Sequence, residues 1–211
     1  MTKWDKLQDS IAQMEEKRRR ISDVVQTLSQ AQLDFQPGPR SWSIGQVAEH
    51  VALSERGLMN LVKSLLQGPG GRRVLQVSYD QLPLTLQGIP TSFARLAFEL
   101  LRPFSFMTRF TPQAVIRFML ANPLVKAKAA PDSVPAHGKA RAELVAFLTE
   151  VRQSTLQFLE SVKDKDLAQF HWSHPLLGYQ DLSGMLELIV SHDSRHILQI
   201  EEVRKNPRFP D

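Results

Sequence analysis

The sequence predicts an all-α protein: a four-helix bundle with a long helical insertion between its second and third helices. Three observations carry this. Four stretches repeat apolar residues at spacings of three and four, the mark of a helix with one buried face. No run alternates apolar and polar residues as a half-buried strand does. Residues 66–135 hold eight of the 13 prolines, so one proline-rich piece separates the four stretches into two pairs.

The first stretch places Leu7, Ile11, Met14, Ile21, Val25 and Leu28 on one face, with Arg18 in the missing inward place. That is a bundle seam with one polar interruption. The second begins at Ser43, a good N-cap with Gln46 three residues on, and runs through Ile44, Val47, Val51, Leu58, Leu61 and Leu65 to Gly68 and Pro69. The third, Lys139 to Val162, turns Leu144, Phe147, Leu148, Val151, Phe158 and Leu159 inward. The fourth starts after Asp181 and carries Leu182, Met185, Leu186, Ile189, His192, His196, Ile197, Ile200 and Val203 to Lys205, where Asn206 and Pro207 stop it.

Glycines and prolines open and close the 66–135 insertion as loops, and Pro103, Pro112 and Pro123 divide its middle into two or three short helices. Its Phe-rich part, residues 92–120, admits three roles: a lid and apolar wall over a cavity, a dimer surface, or a membrane-contacting face. With 42% hydrophobic and 23% charged residues in a chain of 211, the composition is that of an ordinary globular protein, and residues 1–211 read as one domain. Long disorder and a disulfide scaffold are excluded. The absence of cysteine removes thiol nucleophiles and thiolate metal sites, and it fits a reducing compartment. Met1 to Arg20 is dense in charge and lacks the apolar core of a secretory signal, so a cytoplasmic location is expected. The net charge of +4 resides in the insertion, which has eight Lys/Arg against three Asp/Glu, leaving 18 against 19 elsewhere. No nucleic-acid motif accompanies it, and no uncharged apolar run spans a bilayer.

Packing explains three histidines least well. His50 on the second helix and His192 with His196 on the fourth all fall in inward phases. A spacing of four puts two imidazoles one turn apart on one face, and a third from a facing helix completes a tripod for a divalent ion. Six histidines would give roughly 0.14 pairs at this spacing by chance, so the pair alone is weak evidence. Hydrogen-bonded core histidines account for the spacing equally well. If the three do meet, an ion held by three neutral ligands keeps positions free for water or substrate, the layout of a catalytic site. Its water would be acidified, or a substrate thiol or carbonyl polarised. Zn, Ni and Fe(II) all suit three imidazoles.

The segments Ser41-Trp42-Ser43-Ile44-Gly45-Gln46-Val47-Ala48-Glu49-His50, His174-Pro175-Leu176-Leu177-Gly178-Tyr179 and His192-Asp193-Ser194-Arg195-His196-Ile197-Leu198-Gln199-Ile200 resemble the DinB-like (YfiT-like) superfamily of helical metalloproteins. The resemblance covers residues 1–65 and 138–205. It implies an up-down-down-up four-helix bundle, a divalent metal ion on His50, His192 and His196, and homodimerisation. Characterised relatives are thiol S-transferases using low-molecular-weight thiols and a mycothiol-dependent isomerase.

Other polar residues have plainer readings beside functional ones. Arg18 is a candidate pocket residue that anchors an anionic substrate, pairs with a buried carboxylate, or snorkels to a bundle end. His174, with His171 and Trp172, belongs to the loop before the fourth helix, where it either lines a pocket or packs the turn. His137 reads as solvated. Glu49 and Asp193 adjoin inward histidines in sequence and either orient an imidazole or lie in solvent, solvent being the default for such carboxylates, and Glu187 has the same two readings.

Two functions remain open. One is a metal-dependent transferase or hydrolase in which the ion activates a small thiol or water. The other is a non-enzymatic binder whose cavity holds an apolar ligand or whose insertion meets a partner or membrane. Only the first requires all three imidazoles to meet.

Overall fold

The computed structural model describes residues 3–67, 129, 131–164, 172–174 and 178–211, with the backbone alone for 3–6, 65, 67, 172–174 and 178–180. The expected insertion helices, His171 and the Leu65 side chain lie outside the described residues. Four long helices make the fold: α1 (Lys3–Thr27), α3 (Ile44–Gln67), α4 (Arg141–Ser161) and α5 (Leu182–Arg204). A short α2 (Gln30–Asp34) follows α1, and a 3₁₀ turn, Pro131–Ser133, precedes α4. Before α5 the chain forms a two-stranded hairpin, β1 (Trp172–His174) against antiparallel β2 (Gly178–Gln180), with Ser173 opposite Tyr179. At three residues each, these strands are too short to show the alternation by which a sequence announces a strand.

Local chemistry sets the boundaries. Ser43 caps α3 as its sequence predicts: its hydroxyl accepts the Gln46 N–H at 3.2 Å and the Gln46 side chain accepts the Ser43 N–H at 3.1 Å. The same reciprocal pair, Ser29 and Gln32, starts α2, a helix too short to be read from periodicity. Leu33 of α2 presses on the start of α3, where Gly45 makes room: a Cβ there would lie 3.2 Å from the Leu33 carbonyl oxygen. Asp181 caps α5 by accepting the Gly184 N–H at 2.9 Å.

The apolar core is split in two. One cluster joins Ile21 and Val25 of α1, and Leu28 just beyond it, to Ile44–Ala52 of α3, Leu144–Val151 of α4 and Ile197–Val203 of α5. The other joins Leu7 and Met14 to Met59 and Val62, Leu159 and Val162, and Leu182–Ile189. Thus α1 and α5 run from the second cluster to the first, while α3 and α4 run the opposite way. This is the up-down-down-up order. In the second half of α3 the inward places belong to Met59 and Val62, whereas Leu58 and Leu61 are half-buried. Phe147 and Phe158 of α4 are half-buried too, because cations cover them: Arg56 and Lys139 lie 4.9 and 5.0 Å from the Phe147 ring centre, and Lys63 lies 5.5 Å from that of Phe158. Among the described residues no helix is long and apolar enough to cross a membrane.

Candidate metal centre

Between the two apolar clusters each long helix contributes a charged residue to the core: Arg18 from α1, Glu55 from α3, Arg152 from α4 and Asp193 from α5, none more than 5% exposed. Beside this layer α3 and α5 bring three imidazoles together. The His192 Nε2 atom lies 3.2 Å from Nε2 of His50 and 3.2 Å from Nε2 of His196. The rings are tilted rather than stacked, with centroids 4.4–5.1 Å apart. All three histidines singled out in the sequence therefore meet at one point.

Hydrogen bonds settle which nitrogens face inward. His50 Nδ1 lies 2.7 Å from the Ser133 carbonyl oxygen, an acceptor only, so Nδ1 carries the proton and Nε2 keeps its lone pair. His196 Nδ1 stands 2.8 Å from Oε1 of Gln199, with the same consequence. Two inward lone pairs then face His192 Nε2, and one proton on that atom satisfies at most one of them. A cation satisfies all three: ligands at ~2.0–2.1 Å in a tetrahedral arrangement stand about 3.3 Å apart, close to the observed 3.2 Å. The donor set and its spacing fit a divalent transition metal.

Burial reinforces this. It pushes the imidazoles of His50 and His196 below their ordinary range, and it lowers His192 to about 3 with help from the charges of His50 and Arg18. All three are neutral at physiological pH and available as ligands. His50 and His196 are 6% exposed, whereas the His192 side chain is 32% exposed and forms the open edge. Trp42, half-buried, covers His50 with ring centroids 4.6 Å apart.

Several sequence expectations change here. Glu49 and Asp193 are not solvated. Glu49 is buried, its Oε2 accepting the Ala136 N–H at 2.8 Å and its Oε1 pairing with Lys139 Nζ at 2.6 Å, so it fastens the strand of chain that carries Ser133. Asp193 is fully buried in the charged layer, because a one-residue step beyond His192 turns it towards α1 and α4 instead of solvent. Burial pushes its carboxyl up, opposed by the Arg18 and Arg152 guanidiniums. Glu187 is half-buried. Of the three readings of Arg18, the one realised is the buried ion pair, with Nη2 2.6 Å from Glu55 Oε2 and 3.7 Å from Asp193 Oδ2. His137 is exposed, as expected. The backbone of His174 pairs with Gly178 in the hairpin; its side chain lies outside what is described.

Sequence reasoning passed over Glu55, Arg152, Gln199 and Ser133. Glu55 had a signal: four residues after Val51, it sits in the inward phase of α3. Arg152, four after Leu148, had the same signal on α4. Ser133 had none, since a backbone carbonyl can belong to any residue type.

Comparison with known proteins agrees with this architecture. The family model of the DinB superfamily matches residues 13–200. Among solved structures, one described as "YfiT from Bacillus subtilis is a probable metal-dependent hydrolase with an unusual four-helix bundle topology" aligns with a TM-score of 0.54 at 19% identity, covering 97% of this chain and 89% of that one. No protein with curated annotation matches significantly.

Proposed function

The chain belongs to the DinB superfamily, and from that premise we propose that it is a metal-dependent enzyme acting on a small molecule, with His50, His192 and His196 holding one divalent ion. The observation that carries the reading is the convergence of three Nε2 atoms, His192 standing 3.2 Å from each of the others. When bound, such an ion supplies Lewis acidity, which acidifies a water or thiol and polarises a carbonyl. Zn, Ni and Fe(II) all suit this ligand set.

The chain's own groups do the rest. Ser133 and Gln199 hold two rings with their lone pairs inward. Trp42 shields the His50 side from water, and the exposed edge of His192 is where a small molecule enters. Hydrolysis is the favoured reaction, supported by the description of the solved YfiT structure. Thiol transfer is the alternative; with no cysteine in the chain, it requires a free small-molecule thiol as second substrate. Residues 1–211 act as one domain in this reading, supported by a family match that runs across the insertion.

Elemental analysis of untagged protein, purified without chelator and reconstituted, tests the reading. About one metal ion per chain is expected, lost in His192→Ala. Metal-free protein after reconstitution, or full occupancy in a variant lacking both His192 and His196, contradicts it. Screening the loaded protein against esters and amides, and against electrophiles with added thiol, separates the two reactions.

A further inference from the structure

The three imidazoles are not oriented alike. His50 and His196 each have an acceptor for Nδ1, at 2.7 and 2.8 Å. His192 has none at hydrogen-bond distance among the described residues; Asp193 Oδ1 stands 3.9 Å from its Nδ1. Asp193 is in the complementary position. It is 0% exposed, and neither of its carboxylate oxygens has a hydrogen-bond partner among the described residues. Its Oδ2 faces the guanidiniums, 3.7 Å from Arg18 and 3.6 Å from Arg152, while Oδ1 faces the imidazole.

The arginines make their closest contacts with Glu55 rather than Asp193, although Arg18 Nε and Nη1 and all three guanidinium nitrogens of Arg152 have no hydrogen-bond partner among the described residues. Both turn Nη2 to the same oxygen of Glu55, at 2.6 and 2.9 Å. A buried carboxylate without a hydrogen bond is costly, and the His192 ring nitrogen on its Oδ1 side is a donor that would relieve the cost at that oxygen, as the guanidiniums are at Oδ2. Closing the gap takes about 1 Å of side-chain rotation to reach ordinary N–H···O distance.

We propose that Asp193 is the positioning residue of His192: Oδ1 accepts the Nδ1 proton and turns Nε2 to the metal, while Arg18, Arg152 and Glu55 fix the carboxylate from the other three helices. The charged layer thereby ties the metal centre to the packing of all four helices. This rests on the metal reading above.

Cobalt(II) titration followed by visible absorption tests it, with circular dichroism reporting the fold and exchange of the His192 Nδ1 proton read by NMR in the zinc-loaded protein. For Asp193→Ala the expected result is 10- to 100-fold weaker Co(II) binding, displaced absorption bands and a fast-exchanging Nδ1 proton. In D193N, whose amide oxygen still accepts, most of the affinity and the wild-type bands return. If D193A does not fold, the paired change R152M/D193L, which removes one charge of each sign and fills the space with hydrocarbon, carries the same expectation. A folded D193A or R152M/D193L that keeps wild-type affinity, bands and proton exchange overturns the inference and leaves the metal site standing. Wild-type protein that takes up no Co(II) or Zn(II) overturns both.

Discussion

Arg18 of α1 and Glu55 of α3 meet at 2.6 Å in the middle of the bundle, with Met14 and Ile21 above and below the arginine and Ala52 and Met59 flanking the glutamate. The same glutamate oxygen takes Arg152 at 2.9 Å. One carboxylate therefore balances the nearest arms of two buried guanidiniums.

Removing it leaves both cations poorly compensated in a low-dielectric site. Glu55→Ala is expected to destabilise the protein by about 3–5 kcal/mol, read as a lower urea midpoint at unchanged slope. Replacing all four charged residues of the layer with apolar residues of similar volume should cost far less, because no charge is then stranded. A mild effect of E55A alone would show that the layer is wetter than its burial implies.

The metal-free protein should lose stability in mild acid. Burial keeps the three imidazoles below their ordinary range, His192 at about 3, whereas in the unfolded chain they titrate near 6.5. Below that pH the unfolded chain takes up protons the folded one refuses. Stability is therefore complete above about pH 7 and falls as pH drops, with a limiting slope of ~1.4 kcal/mol per pH unit for each imidazole. His192, with its side chain 32% exposed, contributes less than that limit. Asp193, raised by burial, acts with the opposite sign at lower pH. Urea midpoints at pH 7.5, 6.0 and 5.0 should decline, and less steeply in His196→Gln; a rise over this range contradicts the assignment.

Metal should stabilise the folded chain by mass action. With free zinc at 100 times its Kd, the gain is about 2.7 kcal/mol. A calorimetric melt should move upward with zinc and back with chelator, and His50→Ala should abolish both movements. An equal shift in that variant would place the zinc elsewhere.

Gln199 should matter to the metal far more than to the fold. Its side chain is half-buried, and its Oε1 stands 2.8 Å from His196 Nδ1. Gln199→Leu removes the acceptor that fixes the ring, so zinc affinity measured against a chromophoric chelator should fall 10- to 100-fold while the urea midpoint stays nearly constant.

Glu49 should control the segment leading into α4. It accepts the Ala136 N–H at 2.8 Å and pairs with Lys139. Glu49→Ala removes both contacts, and because water reaches the exposed Ala136 amide and the Lys139 ammonium the cost is about 1 kcal/mol. Hydrogen exchange should quicken in peptides spanning 133–139 and remain unchanged at the far end of α1.

The four long helices were legible because each buries one face for twenty or more residues, and such a pattern survives small errors of phase. Even so, Leu58 and Leu61 were given inward places that belong to Met59 and Val62. A helix contacting neighbours on both sides buries a broad stripe, and hydrophobicity alone does not mark its centre. The three histidines were legible for the same reason as the leucines, by phase. The solvent reading of Asp193 and Glu49 fails because counterions contributed by α1, α4 and Lys139 reverse a carboxylate's preference for water. Those partners lie far away along the chain, where no local pattern records them. The Ser133 carbonyl, bonded to a ring 83 positions earlier, is invisible in the same way.

That long separation also sets an order of events. His192 follows His50 by 142 positions, so an emerging polypeptide displays His50 without its two companions until α5 has been made. No ion can be gripped by the full trio before α5 has docked. Cation capture thus follows the docking of α5, and its rate in a refolding experiment is a clock for completion of the bundle.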